Sequence, residues 1–140
     1  MTKSGYEWPR TLFWITLVVA PTLALSRICA YDRLTWYLEI FPAAIAFLVL
    51  YATARRYPLT TLLYWLIAFH CLILILGAHY TYARVPLGFW FRDLFDLSRN
   101  NYDRLGHLAQ GFIPAIAVRE IFIRSSPVKS GPWLIFMTVA

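Results

Sequence analysis

Four apolar runs govern what this chain folds into: residues 11–28, 36–54, 61–82 and 104–123. At about 1.5 Å per helical residue, each reaches across a hydrocarbon core of about 30 Å. Backbone polar groups find no water in that core, so each run must close its hydrogen bonds within itself, as a helix. The expected fold is therefore all-α, a polytopic membrane bundle of four complete transmembrane helices. A fifth run, 133–140, is too short to span and begins a further helix. The chain reads as one transmembrane domain over 1–140, truncated at its C-terminus. Charge supports this class: 14% of residues are charged, against about 25% in soluble domains. The mean hydropathy is +0.58.

The net charge of +6 would suggest nucleic acid in a soluble protein. Here the basic residues sit between apolar runs, so topology and phospholipid contact explain them and no nucleic acid is expected. With the N-terminus inside, Lys3, Arg10, Arg55, Arg56, Arg119, Arg124 and Lys129 lie inside, and Arg27, Arg33, Arg84, Arg92, Arg99 and Arg104 outside. The tight Arg55–Arg56 connection tips this even balance toward a cytoplasmic N-terminus. An alternative makes the first run a signal peptide, with Ala24 and Ser26 as its cleavage pattern. Two cysteines, Cys29 and Cys71, are too few for a disulfide framework and read as apolar packing residues. Between the third and fourth runs, 87–98 carries Trp90, Phe91, Leu94, Phe95 and Leu97 at helical spacing, with Arg92, Asp93 and Asp96 opposite. That pattern predicts a short helix lying in the interface plane.

The tetrapeptide YDRL occurs twice, at Tyr31–Leu34 and Tyr102–Leu105, each just before an apolar run. Under a shift of 71 residues, YDRLTWYLEIFPAAIA aligns with YDRLGHLAQGFIPAIA, with Phe41 on Phe112 and Glu39 on Gln110. This predicts a repeated helical hairpin whose two copies run parallel, with both YDR segments on one membrane face. Asp at such a helix start accepts from free backbone N–H groups, Arg snorkels and Tyr joins the interfacial aromatic belt.

The second copy carries more chemistry. At 100° per residue Asp103, His107, Gln110 and Pro114 form one stripe of the fourth helix, matched by Asp32, Trp36 and Glu39 in the second. Polar groups at this depth are expected to face the bundle interior. His79, Tyr80 and Tyr82 end the third helix on the same side. The candidate catalytic residues are His107, Asp103 and His79. The candidate substrate-binding residues are Arg33, Arg104, Asp32, Glu39, Tyr80, Tyr82, Asn101 and Gln110. His70, mid-helix, is expected to make a helix–helix hydrogen bond. His79, Asp103 and His107 have ligand chemistry, but no tight metal motif supports them, so no metal is assigned. The sequence names no cofactor, carries no nucleotide-binding motif and fixes no oligomeric state.

The strings GAHYTYARVPLGFW and NYDRLGHLAQGFIPAIAVREI resemble the YjdF family of uncharacterised bacterial inner-membrane proteins. That resemblance covers nearly the whole chain. It implies a multi-helix membrane protein without an assigned reaction, continuing in other members into a helix that bears glutamates. The Asp103–His107 spacing has a more distant likeness to VanZ-like membrane proteins. Three functions stay open. The first is an enzyme acting on a lipid or lipid-linked substrate, with Asp103 orienting His107, His107 or His79 as general base, and Arg33 and Arg104 holding a phosphate head group. The second is a transporter-like module, and the third a structural network in which Asp103, Arg104 and His107 neutralise one another.

Overall fold

The computed structural model describes residues 9–125 and 131–139. Within them the chain forms α1 (Arg10–Ile28), α2 (Arg33–Thr53), α3 (Thr61–Tyr80), α4 (Pro86–Leu94), α5 (Tyr102–Ser125) and α6 (Pro132–Val139). The described residues contain no strand.

Three helices, α1, α2 and α3, are long and apolar enough to cross a membrane. The expected fourth crossing lies inside α5, which is the longest helix but is less apolar than these three. Its Asp103, Arg104, Arg119, Glu120 and Arg124, with His107 and Gln110, dilute the aliphatic residues between them.

Hydroxyls inside the apolar helices fold back onto their own backbones, which spares them the cost of an unpaired polar group in lipid. Thr16 and Thr22 of α1 donate to the carbonyls of Leu12 and Val18 at 2.7 Å each, and Thr53 of α2 donates to Val49 at 2.7 Å. The Asp32 carboxylate caps α2 by accepting from the Thr35 N–H at 2.7 Å. Thr60 caps α3 in the same way, and α3 stops where Thr81 turns left-handed at φ 59°. The two YDRL copies therefore start their helices out of step. Asp32 precedes α2, whereas Asp103 lies in the first turn of α5, and Asn100 takes over as the cap by accepting from the Tyr102 N–H at 3.0 Å.

Contacts at the two ends fix the topology. The Tyr31 N–H donates to the His79 carbonyl at 3.0 Å, which seats the α1–α2 turn against the C-terminal end of α3. At the other end the Glu120 carboxylate of α5 accepts from the Thr60 N–H at 2.8 Å and its hydroxyl at 2.7 Å. It also pairs with Arg124 at 2.8 Å. Thus α2 and α5 both run antiparallel to α3, with both YDR segments near its C-terminus. Helix α3 packs on α1, α2 and α5, and α6 packs on α5. Two buried clusters follow. One joins Leu12, Ile15 and Val19 of α1 to Trp36 and Ile40 of α2 and Ala68 and Ile75 of α3. The other joins Ile73 of α3 to Val85 and to Tyr102, Ala109 and Ile113 of α5. The outward surface is apolar instead, with Phe13, Leu17, Leu34, Leu48, Trp65 and Phe69 all exposed, as lipid contact requires.

Candidate functional site

The C-terminal end of α3 is built around Tyr82. Thr81 at φ 59° and Tyr82 at φ 34° take the left-handed backbone that side chains rarely adopt. They fold the chain back so that the Tyr82 N–H reaches the Gly77 carbonyl at 2.8 Å. The Tyr82 ring is then wedged between two helices. A Cβ on Gly77 of α3 would fall 2.5 Å from that ring, and one on Gly106 of α5 would fall 2.8 Å from it. Only glycine admits the ring at both positions. The Tyr82 hydroxyl points toward Glu39 of α2, is buried, and has no partner in hydrogen-bond geometry. Burial, and then the Glu39 carboxylate, pushes this phenol well above its ordinary pKa. Beside it, Tyr102 donates to the Ile73 carbonyl at 3.0 Å.

Two residues that the sequence reading did not select tie this end together. The Asn100 amide donates to the carbonyls of Ala83 and Val85 at 3.1 Å each while its oxygen caps α5. Ser26 of α1, the residue of the cleavage pattern, is buried at the meeting of three helices. Its hydroxyl accepts from the Trp36 indole at 3.0 Å, and its carbonyl contacts His79 Nδ1 at 2.8 Å. Asn100 had a legible signal, since Asn before a helix start is a favoured cap; Ser26 had none.

The candidate residues divide among several environments. His79 is held by Ser26. His107 is exposed, and its Nδ1 lies 2.8 Å from the Asp103 carbonyl of its own helix. A carbonyl only accepts, so both rings carry a proton on Nδ1, which leaves Nε2 of a neutral ring as the acceptor. No hydrogen bond between side chains and no ion pair joins His79, Asp103 and His107 among the described residues, and no group of three metal-ligating side chains occurs there. Arg33, Arg104 and Gln110 are exposed. Asn101 accepts weakly from Arg99 at 3.3 Å, and Tyr80 packs edge-on against His79. The inward face of α5 is Tyr102, Gly106, Ala109 and Ile113, so the expected polar stripe lies one position round the helix from the buried one. The Ala and Gly positions allow close approach to α3, which decides the rotation.

A second feature was not foreseen. Helices α2 and α5 both lean on α3 without packing closely on each other, leaving a groove of about 670 Å³. Small-molecule sites usually span about 300–1,000 Å³. Its inner end is set by Pro42 of α2, Leu74 and His70 of α3, and Gln110 and Pro114 of α5. It runs from there toward the N-terminal end of α3, past Ala46, Val49, Ala117 and Ile121, to Thr53, Tyr57 and Ser125. The rim residues Ala46, Val49 and Ile121 are exposed, so the groove opens sideways. His70 does not make the helix–helix bond expected of it: its Nε2 is buried without a partner. At the end nearer the YDR segments the Tyr82 ring stands between α3 and α5 instead.

Spans apolar enough for a bilayer, an apolar outer surface and a side-opening groove define an all-helical membrane protein. The chain belongs to the family described as Predicted membrane protein (DUF2238), whose profile matches residues 11–140. It is similar to Inner membrane protein YjdF of Escherichia coli (strain K12), with 46% identity over 129 residues. That alignment covers 92% of this chain and 62% of the relative, so the chain spans less than two thirds of the relative's length. No solved structure matches.

Proposed function

We infer that this chain is a multi-pass inner-membrane module that binds a lipid or lipid-linked molecule in the groove between α2, α3 and α5. The observation that carries this reading is the groove itself: apolar, lateral, of ligand size and walled by helices of membrane-spanning length. In this reading α5 is a fourth crossing. Its polar residues gather toward its two ends, and α2 and α5 form the parallel halves of a hairpin repeat, each with a proline on the groove. The N-terminus is cytoplasmic, so the groove opens to the inner leaflet beside Arg55 and Arg56. Arg33, Arg104, Asp103 and His107 lie at the outer face, where they contact lipid head groups. His107, with Nε2 free, is the base for any reaction at that face. Helix α4, with Phe89, Trp90, Phe91 and Leu94 exposed, lies in the outer interface.

The test is photolabelling with a phospholipid carrying a diazirine midway along its acyl chain. Label concentrated on groove peptides of α2, α3 and α5, and diminished by Ala46→Phe with Ala117→Phe, supports the reading. Label spread evenly over the outer faces of α1 and α2 rules it out. Comparing lipid composition in cells with and without the full-length protein separates a reaction on lipid from binding alone. One observation favours a transporter-like second reading: the groove is open toward the N-terminal end of α3, while at the other end the Tyr82 ring is wedged between α3 and α5. Altered solute uptake with an unchanged lipidome supports that alternative.

A further inference from the structure

We propose that the occupant of this groove is an uncharged long-chain lipid of the quinone or quinol class, held with its polar ring at the inner end and its tail toward the open end. The proposal rests on the lipid-binding reading above and names the chemistry of its ligand. Three features converge on the inner end. His70 presents a buried Nε2 with no partner. Gln110 brings an amide, which both donates and accepts. Pro114 lacks the N–H that a helix supplies to the carbonyl four residues earlier, which leaves the carbonyl of Gln110, itself on the groove, short of its helical donor. The inner end thus carries hydrogen-bonding capacity that the protein leaves unused, between aliphatic walls.

Depth selects the ligand. His70 is central in α3, about 15 Å from either helix end at the helical rise. A charged head group is strongly disfavoured at such depth, whereas a neutral ring with carbonyl or hydroxyl oxygens is matched by an imidazole and an amide. A phospholipid entering tail-first, with its head group at the mouth, leaves His70 unpaired. The remaining length of the groove is apolar and suits an isoprenoid or alkyl tail.

The experiment titrates the purified full chain, in a neutral detergent, with a decyl-chain benzoquinone, alongside photolabelling by the diazirine phospholipid. Saturable quinone binding is expected, with competition against the phospholipid label. His70→Phe should weaken quinone binding about tenfold, the scale of one lost hydrogen bond, while leaving phospholipid labelling unchanged. His70→Gln should restore part of the affinity, and Gln110→Leu should weaken it; these two variants carry the test if His70→Phe does not fold. Groove labelling by phospholipid without saturable quinone binding overturns this proposal and leaves the lipid-binding reading standing. So does quinone binding that the His70 and Gln110 substitutions do not alter. Neither ligand in the groove, with a helix of a longer chain cross-linking there instead, overturns both.

Discussion

The wedge of Tyr82 between two glycines yields a quantitative expectation. Carbon atoms in contact settle about 3.5–4.0 Å apart. An alanine Cβ at position 77 would lie 2.5 Å from the ring, and one at position 106 would lie 2.8 Å from it. The ring must therefore retreat by roughly 1 Å. It cannot do so freely, because moving off one glycine presses it onto the other helix, and its left-handed backbone anchors it. Overpacking of this kind costs about 1–3 kcal/mol. Against that stands the gain of about 0.5–1 kcal/mol from replacing a helical glycine with alanine. Gly111 supplies the control: it is also within α5, and a Cβ there meets nothing within 4 Å.

The assay is thermal unfolding in detergent of Gly77→Ala, Gly106→Ala and Gly111→Ala, each with Tyr82 intact and with Tyr82→Ala. Gly111→Ala should be neutral or stabilising. Gly77→Ala and Gly106→Ala should lie about 1–3 kcal/mol below it, which is several degrees for a chain of this size. Removing the ring should abolish that gap, giving a coupling energy of the same magnitude in the double-mutant cycle. If Gly106→Ala behaves like Gly111→Ala, or if Tyr82→Ala brings no relief, the wedge is wrong.

Asn100→Ala removes two carbonyl contacts and the α5 cap, so it should lower stability by about 2 kcal/mol; Asn101→Ala, losing one long contact, should cost far less in the same melt. Asp32 is held below its ordinary carboxylate pKa of 3.8, first by the Thr35 backbone N–H. Its contribution is therefore fully present above that value and lost as pH falls through the lower folded one. Asp32→Asn should flatten the acid limb of a stability-against-pH curve, and an unchanged limb refutes the cap. Glu120→Ala removes the pair with Arg124 and the two bonds that hold Thr60, the cap of α3, for a loss of about 1.5–3 kcal/mol by the same melt. His107→Ala should stay within about 0.5 kcal/mol of the parent, while complementation by the full-length protein reports whether its imidazole is used.

Much of the architecture was legible because hydrophobic runs report directly on helices that close their own hydrogen bonds. Residues 11–28 and 61–82 lie close to α1 and α3, whereas the helix expected over 87–98 ends at Leu94, and Asp96 beyond it is left-handed. The end of α3 was not legible, because Thr81 gives no sequence sign of a left-handed residue. The rotation of α5 was not legible either. A polar stripe shows which residues share a face, yet the buried face was set by Gly106 and Ala109, whose value lies in what they let approach. Polar character at Asp103, His107 and Gln110 suggested the interior, but small size mattered more. The groove depends on a gap between α2 and α5 that arises because both lean on α3, a relation absent from either sequence segment. His70 illustrates the same limit: a histidine among aliphatic residues signals a polar contact, but not whether protein or ligand supplies it.

The two YDRL copies end in different physical situations, and that difference bears on function. At the position that aligns with His107, Trp36 is buried and donates its indole N–H to Ser26, binding α2 to α1. His107 holds the same place in the second copy, yet it is exposed and bonds only its own backbone. The first copy therefore uses the position for packing between neighbouring helices, where a large ring with one donor serves well. In the second copy the helix has turned its small residues toward α3, and the position faces outward with no partner on another helix among the described residues. A histidine there contributes little to the fold, so stability does not explain it. An imidazole with Nδ1 anchored and Nε2 open, one turn from a carboxylate and beside an exposed arginine, is suited to contact a polar head group or accept a proton at the membrane surface.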